Sequence, residues 1–493
     1  MEDKKESYRE VVKATSLFGG VKVFSILIAV IRSKVIALLI GAEGMGIASL
    51  FMSTLQMVNG VTNLGMDKSA VKDISYAREK QDLAGIQKTI SILSRITWIT
   101  GIAGTALIML TSPWLSELAF GNREYTLLFV WVAISLLFIQ LTNAKLAILQ
   151  GIRRHRALAK ANLLGNFLGL ILTLPLYYYY GIDAIVPAII LATFLSVLVT
   201  HYYVLKSQVK VDSIRTKSAF SEGKSMIRLG IMLSISGLMS LLGAYILQIY
   251  ISAKGGVDQV GFYNAGFVIL NTYVGLIFSA MATDYFPRLS GIIDDIKKIQ
   301  QTVFEQAHVA LLLISPIIVV FIAFAPQIIR ILYSGEFDPT IVFVSWAIMG
   351  MFFKAVSFSV GYIIIAKGDS NLFLKTTFIF NALLLTLNIL GYTYYGLFGL
   401  GVSFLIYFVI HFIAIQIITY YRYGFYFKSD FYTVFISCLI ICTGAFLASF
   451  LGTILWKYSL LVLLIIISLI YSFIQLNKKM DVVGLLKNRF RKK

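Results

Sequence analysis

Apolar runs of about twenty residues recur along the whole chain, separated by short polar, basic or glycine-bearing breaks. At about 1.5 Å per residue each run can carry a helix across roughly 30 Å of hydrocarbon. The pattern predicts fourteen transmembrane helices, near 15–40, 46–66, 89–111, 125–149, 161–180, 182–205, 229–252, 258–284, 302–331, 340–366, 372–392, 397–420, 431–451 and 457–476. The expected fold class is an all-α polytopic membrane protein.

The breaks alternate between very short ones, such as GAEGM and GID, and longer basic ones. With the N-terminus inside, 33 of the 43 Lys and Arg fall on cytoplasmic segments, and only Arg123, Lys254 and Lys457 fall on outer connectors. That bias sets the orientation, with both termini cytoplasmic. The polar start MEDKKESYRE, followed by an apolar run without a small-residue cleavage site, predicts no cleaved signal peptide. The 58% hydrophobic, 14% charged composition belongs to a membrane protein, and the net charge of +19 is explained by its inner loops. No connector could house a soluble catalytic or nucleic-acid-binding domain.

Displacing the chain against itself by 215 positions reveals a gap-free internal repeat. YYYYG (Tyr177–Gly181) falls on YTYYG (Tyr392–Gly396), Gly41 on Gly256, Glu43 on Asp258, Gly46 on Gly261 and Gly60 on Gly275. Trp131 meets Trp346, Lys160 meets Lys375 and Asn166 meets Asn381. Six spans per half is an even number, so the halves are parallel copies about an axis along the membrane normal, an arrangement suited to alternating access. The expected organisation is a cytoplasmic segment 1–14, a first lobe 15–206, a linker 207–228 and a second lobe 229–422. A helix pair in 423–476 lies outside the repeat, and a basic tail 477–493 is expected on the anionic inner leaflet.

The run KVFSILIAVIRSKVIALLIG (Lys22–Gly41) carries Lys22, Arg32 and Lys34 without an acidic partner in the run. Each such cation costs about 2.5–3.5 kcal/mol at a helix centre on insertion scales. The repeat maps the three onto Gly237, Leu247 and Ile249, so these cations belong to the first half alone. At about 100° per residue, Ser25, Ala29 and Ser33 lie beside Lys22, and small and polar residues next to cations resemble a cavity wall. The next span adds Gln56, Asn59 and Asn63 at spacings of three and four, and Lys354 is a further cavity candidate in the tenth span. The alternative is snorkelling of the cations to the interfaces, as expected for Lys145, with Gln56 and Asn59 bonding neighbouring helices.

Carboxylates are scarce at membrane depth. Asp284 and Arg288, at i and i+4, suggest an inner-rim ion pair or gate, and Glu305 and His308 share a face near the start of the ninth span. With Asn381, Asn388 and His411, Glu305 and His308 are the candidates for ion coupling. Cations with few carboxylates describe a cavity for an anion, for which phosphate groups are the obvious candidates. Cys438 and Cys442, one turn apart, read as two small buried residues rather than a metal site, and no cofactor is expected.

The stretch GAEGMGIASLFMSTLQMVNGVTNLGMDKSAVKDIS (Gly41–Ser75) resembles the first interspan turn and second span of polysaccharide-transporter flippases, the O-antigen and lipid-linked oligosaccharide translocases of the multidrug/oligosaccharidyl-lipid/polysaccharide exporter superfamily. The resemblance implies movement of an undecaprenyl-pyrophosphate-linked oligosaccharide from the inner to the outer leaflet of the bacterial inner membrane. It also implies a central cavity lined by first-lobe cations, where Lys22, Arg32 and Lys34 occupy comparable positions. In the related peptidoglycan-precursor flippases the last helix pair holds the lipid tail, a role implied for 431–451 and 457–476. The expected partners are the lipid-linked substrate, the bilayer and polysaccharide assembly machinery, with the monomer as the functional unit. The sodium-site carboxylates of some relatives are not evident in the seventh span.

Two other classes compete. A multidrug exporter of the same superfamily would use buried acids, against the cation-rich, acid-poor spans here. A membrane-embedded polymerase, ligase or glycosyltransferase would need a sizeable external loop or an acidic cluster, and neither is visible, so the chain is read as a transporter rather than an enzyme.

Overall fold

The computed structural model describes residues 2–207, 214–292 and 294–480, with side chains from residue 26 onward except 279, 280, 282–284, 287, 479 and 480. The described residues form helices and short connectors: α1 (Glu2–Thr62), α2 (Met66–Glu79), α3 (Leu83–Phe120), α4 (Thr126–Val132), α5 (Ile134–Gly151), α6 (His155–Tyr180), α7 (Ile185–Lys206) and α8 (Thr216–Glu222). There follow α9 (Lys224–Gly255), α10 (Val257–Val268), α11 (Leu276–Ser290), α12 (Ile296–Leu332), α13 (Pro339–Ala366), α14 (Ser370–Tyr423), α15 (Ser429–Ala448) and α16 (Ile454–Met480). A π-helical turn at Ile269–Val274 joins α10 to α11.

Among the described residues eleven continuous helical stretches are long and apolar enough to span, and three of them, Ile26–Thr62, His155–Lys206 and Ser370–Tyr423, each contain two crossings. The total is the fourteen expected spans of a multi-pass membrane protein. The three breaks fall at Gly41 (φ 64°, ψ −167°), Gly181 (φ 55°, ψ −127°) and Gly396 (φ 57°, ψ −138°). Gly256, between α9 and α10, has φ 95° and ψ 170°. An L side chain at positive φ with extended ψ would collide with its own backbone, so glycine is required there. The repeat pairs Gly41 with Gly256 and Gly181 with Gly396, so the 215-residue register found in the residues is also a register of backbone conformation.

The chain packs as two compact units, Met1–Gly261 with Leu332–Ser334, and Phe262–Ile331 with Gly335–Lys493. The sequence repeat begins its second copy near 229, whereas the packing boundary falls at Gly261. α9 is therefore part of the first unit. Its Gly230 lies so close to the Leu64–Gly65 backbone that a Cβ would meet the Leu64 carbonyl oxygen at 2.4 Å. Gln248 accepts hydrogen bonds from Ser53 (2.8 Å) and Ser49 (3.4 Å), and Thr54 Oγ1 lies 3.1 Å from the Tyr245 hydroxyl. Buried Gln140 of α5 bridges α1 and α3, donating to Thr62 (2.7 Å) and accepting from Thr100 (3.0 Å). Such bonds hold helices together where lipid offers no competing partner. Met66, Ile74, Ile90, Leu93, Ile96 and Ile148 form a cluster of buried apolar residues.

The second unit is aromatic. Phe412 and Phe435 stack at 5.2 Å, Phe427 and Phe431 at 3.8 Å, and Phe446 of α15 meets Trp346 of α13 at 4.7 Å. Its connectors are pinned by charge: Arg330 forks onto Asp338 (3.0 and 2.6 Å), and Arg422 donates twice to one oxygen of Asp369 (3.1 and 2.9 Å). Both Cys438 and Cys442 are buried thiols, and Cys442 points at the Ser315 carbonyl oxygen, as small core residues would.

Candidate functional site

In the first unit the site is built on α1. The side chain of Lys22 lies outside the described residues. Arg32 is half-buried, and its charge reaches the hydroxyl of Tyr177, the buried tyrosine that opens the YYYYG motif at the end of α6. Lys34 donates to the carbonyl oxygen of Tyr333, which is itself fully buried. After the Gly41 break the polar face continues through exposed Gln56 and half-buried Asn59. The Oδ1 atom of Asn59 is buried and has no hydrogen-bond donor among the described residues. Asn63 is committed within the fold, donating to Asp67 Oδ1 at 2.9 Å. Beyond it, α2 and α5 flank an open pocket of about 350 Å³ lined by Asp67, Lys68, Asn143 and Gln150 together with apolar Val71, Leu146 and Ala147.

In the second unit the cation is Lys354 of α13. Its ammonium donates to Asn271 Oδ1 at 3.2 Å and stands 5.6 Å from the Phe278 ring and 5.3 Å from the Phe408 ring. The π-helical turn widens the backbone at Asn271 and brings it to this ammonium, a common use of such turns at working sites. His411 lies within electrostatic reach of Lys354, against Phe380 (4.3 Å) and Tyr407 (5.7 Å), with Nδ1 buried and without a partner. Among the described residues no carboxylate comes within ion-pair distance of Arg32 or Lys354.

The other candidates separate. Arg288 pairs with Glu305 at 3.9 Å, joining α11 to α12, and Glu305 also accepts from Gln301 at 3.1 Å. The side chain of Asp284 lies outside the described residues. His308 is buried against Phe304 at 5.4 Å. Asn381 donates to the Thr377 carbonyl oxygen of its own helix (2.8 Å), and Asn388 accepts from Ser403 (2.7 Å) across the α14 hairpin. Tyr177, Asn271, Phe278, Phe408 and the Asp67–Asn143 pocket were not singled out from the sequence. The polar pair Asn271-Thr272 inside an apolar run was the one signal that could have pointed to the Lys354 cage.

Residues 11–342 match the family described as polysaccharide biosynthesis protein. The chain belongs to that family. Among curated relatives, it is 24% identical over 325 residues to a Shigella flexneri protein named for O-antigen transport, covering 64% of this chain and 76% of that one. It is 20% identical over 339 residues to the lipid III flippase of Escherichia coli K12, covering 68% and 80%. Among solved structures it superposes on the lipid II flippase MurJ, in an inward closed conformation, with a TM-score of 0.70, 17% identity and coverage of 96% and 100%. An inward-facing multidrug resistance MATE transporter of the MOP superfamily gives 0.66, 16% identity and coverage of 81% and 94%. These structural likenesses establish a shared fold.

Proposed function

We propose that the protein moves an undecaprenyl-pyrophosphate-linked oligosaccharide, an O-antigen or other surface-polysaccharide unit, from the cytoplasmic to the periplasmic leaflet of the bacterial inner membrane. The names of the curated relatives and the family support this substrate class. The observation that carries the reading is a cation in the spans of each compact unit, half-buried Arg32 and Lys354, the latter held by the Asn271 amide and two aromatic rings, with no carboxylate at ion-pair distance of either among the described residues. A charge at such depth is costly unless a counter-ion arrives, and a pyrophosphate diester supplies it with oxygens that a guanidinium can grip in pairs. Asn59 and the pocket at Asp67, Lys68, Asn143 and Gln150 suit sugar hydroxyls on the cytoplasmic side. The 15–206 and 229–422 repeats then expose these groups alternately to the two sides.

The test is a reconstituted assay of lipid-linked oligosaccharide reaching the opposite leaflet. Arg32→Ala is expected to lose transport while still folding and inserting, and Arg32→Lys to keep part of it, since charge persists and the bidentate grip does not. Full transport by Arg32→Ala at native abundance would refute the anion-site role. Cysteine labelling is expected to place Lys217 and Lys478 inside and Asn122, Asp183 and Asp338 outside.

A further inference from the structure

The first unit carries an open apolar groove of about 620 Å³ between α4, α5 and α7, whose lining includes Trp131, Phe138, Pro187, Leu191 and Phe194, with Asp183 at its outer end. Trp131 is 61% exposed there. The internal repeat says what such a surface accepts. Trp131 and Phe138 correspond to Trp346 and Phe353, and in the second unit both are covered by α15, through Phe446 (4.7 Å) and Phe435 (6.1 Å). The same wall in the second half is thus packed by a transmembrane helix. The chain has one extra helix pair, and its own second unit uses it.

We infer that the groove receives α16 of a second copy of this chain. α16 leaves much of its apolar surface exposed, including Leu455, Trp456, Leu463, Ile466 and Ile470. It begins at the outer surface with Lys457, one of only three cations on the outer connectors. Asp183 is an exposed carboxylate with no ion pair among the described residues, so the groove and the helix are complementary in charge as well as in polarity. Copies inserted with the same orientation place the outer end of α16 and the outer rim of the groove at the same depth, so Lys457 meets Asp183 without an adjustment of register. The packed aromatic residues supply the contact area, because association within lipid rests on close packing rather than on water release.

The test combines chains bearing Trp131→Cys with differently tagged chains bearing Leu455→Cys, both in a Cys438→Ala, Cys442→Ser background, co-expressed and oxidised in the membrane. A disulfide-linked species of two chains is expected only when both cysteines are present. It should fall severalfold with Asp183→Lys and recover when the other chain carries Lys457→Asp. Absence of the species although both chains reach the membrane, or an undiminished yield with Asp183→Lys, would overturn the proposal. A photo-crosslinking residue in place of Leu191, in the otherwise unchanged chain, keeps the test independent of the cysteine background. An adduct with an α16 peptide supports the dimer, whereas an adduct only with lipid or only with another protein refutes it.

Discussion

Gly46 and Gly261 each lie against the backbone that precedes the other: a Cβ on Gly46 would stand 1.9 Å from the Val257 carbonyl oxygen, and one on Gly261 would stand 2.1 Å from the Ala42 carbonyl oxygen. Gly46 and Gly261 are 215 residues apart, and so are Ala42 and Val257, so the two copies of the interspan turn meet reciprocally. Alanine at either position must push the helices apart. Gly46→Ala and Gly261→Ala are each expected to destabilise the protein by about 1–3 kcal/mol, the usual cost of overpacking, with similar effects at the two sites. Thermal unfolding in detergent checks this, and a neutral effect at one site would show that the reciprocal contact is not maintained.

Lys354 gives a prediction in which stability and activity part. Its ammonium is bound by one amide oxygen and two rings, a weak replacement for water. Lys354→Met keeps the length and removes the charge, so it is expected to leave stability unchanged or raised while transport is lost. Asn271→Leu leaves the cation without its acceptor and is expected to cost about 1–3 kcal/mol. Parallel unfolding and transport measurements on the two variants decide the matter. A Lys354→Met protein that is both unstable and inactive would make the cation a structural element.

The α13–α14 connector makes a pH-dependent contribution. The hydrogen bond from Arg422, helped by the Leu372 N–H, holds the Asp369 carboxyl below its ordinary value of 3.8. A carboxylate whose value is lowered by folding contributes stability above its unfolded value and loses it as pH falls through the folded one. Asp369→Asn is therefore expected to lower the thermal midpoint at neutral pH, and the gap to the native chain should close only well below pH 3.8. A gap that persists at full protonation would assign the effect to something other than the charge.

Energy supply follows from the sign of the substrate. A pyrophosphate diester carries about two negative charges, and outward movement from an electrically negative interior gains about 2.3 kcal/mol per charge per 100 mV, so about 4.6 kcal/mol if uncompensated. Cations that travel with it reduce that gain. Transport in vesicles is expected to respond to an imposed potential without sodium and at symmetric pH. Indifference to potential combined with dependence on a proton or sodium gradient would redirect attention to His411, which lies beside the Lys354 cage with a buried, unpartnered Nδ1.

The residues alone determined the number of spans and the repeat, because both rest on local rules: an apolar run must be helical in lipid, and a break with positive φ needs glycine. Gly41, Gly181, Gly256 and Gly396 were legible for that reason. Which groups meet a given cation was decided by tertiary structure. Hydropathy does not encode the π-helical turn at Ile269–Val274 or the approach of Asn271 to Lys354, because that contact joins residues 83 positions apart in the chain. Nor could the sequence assign α9 to the first compact unit: its repeat position groups it with the second half, while close contact at Gly230 and the bonds to Gln248 and Tyr245 group it with the first. A repeat records descent of the chain, and packing records which small and polar surfaces fit, so the two boundaries need not coincide.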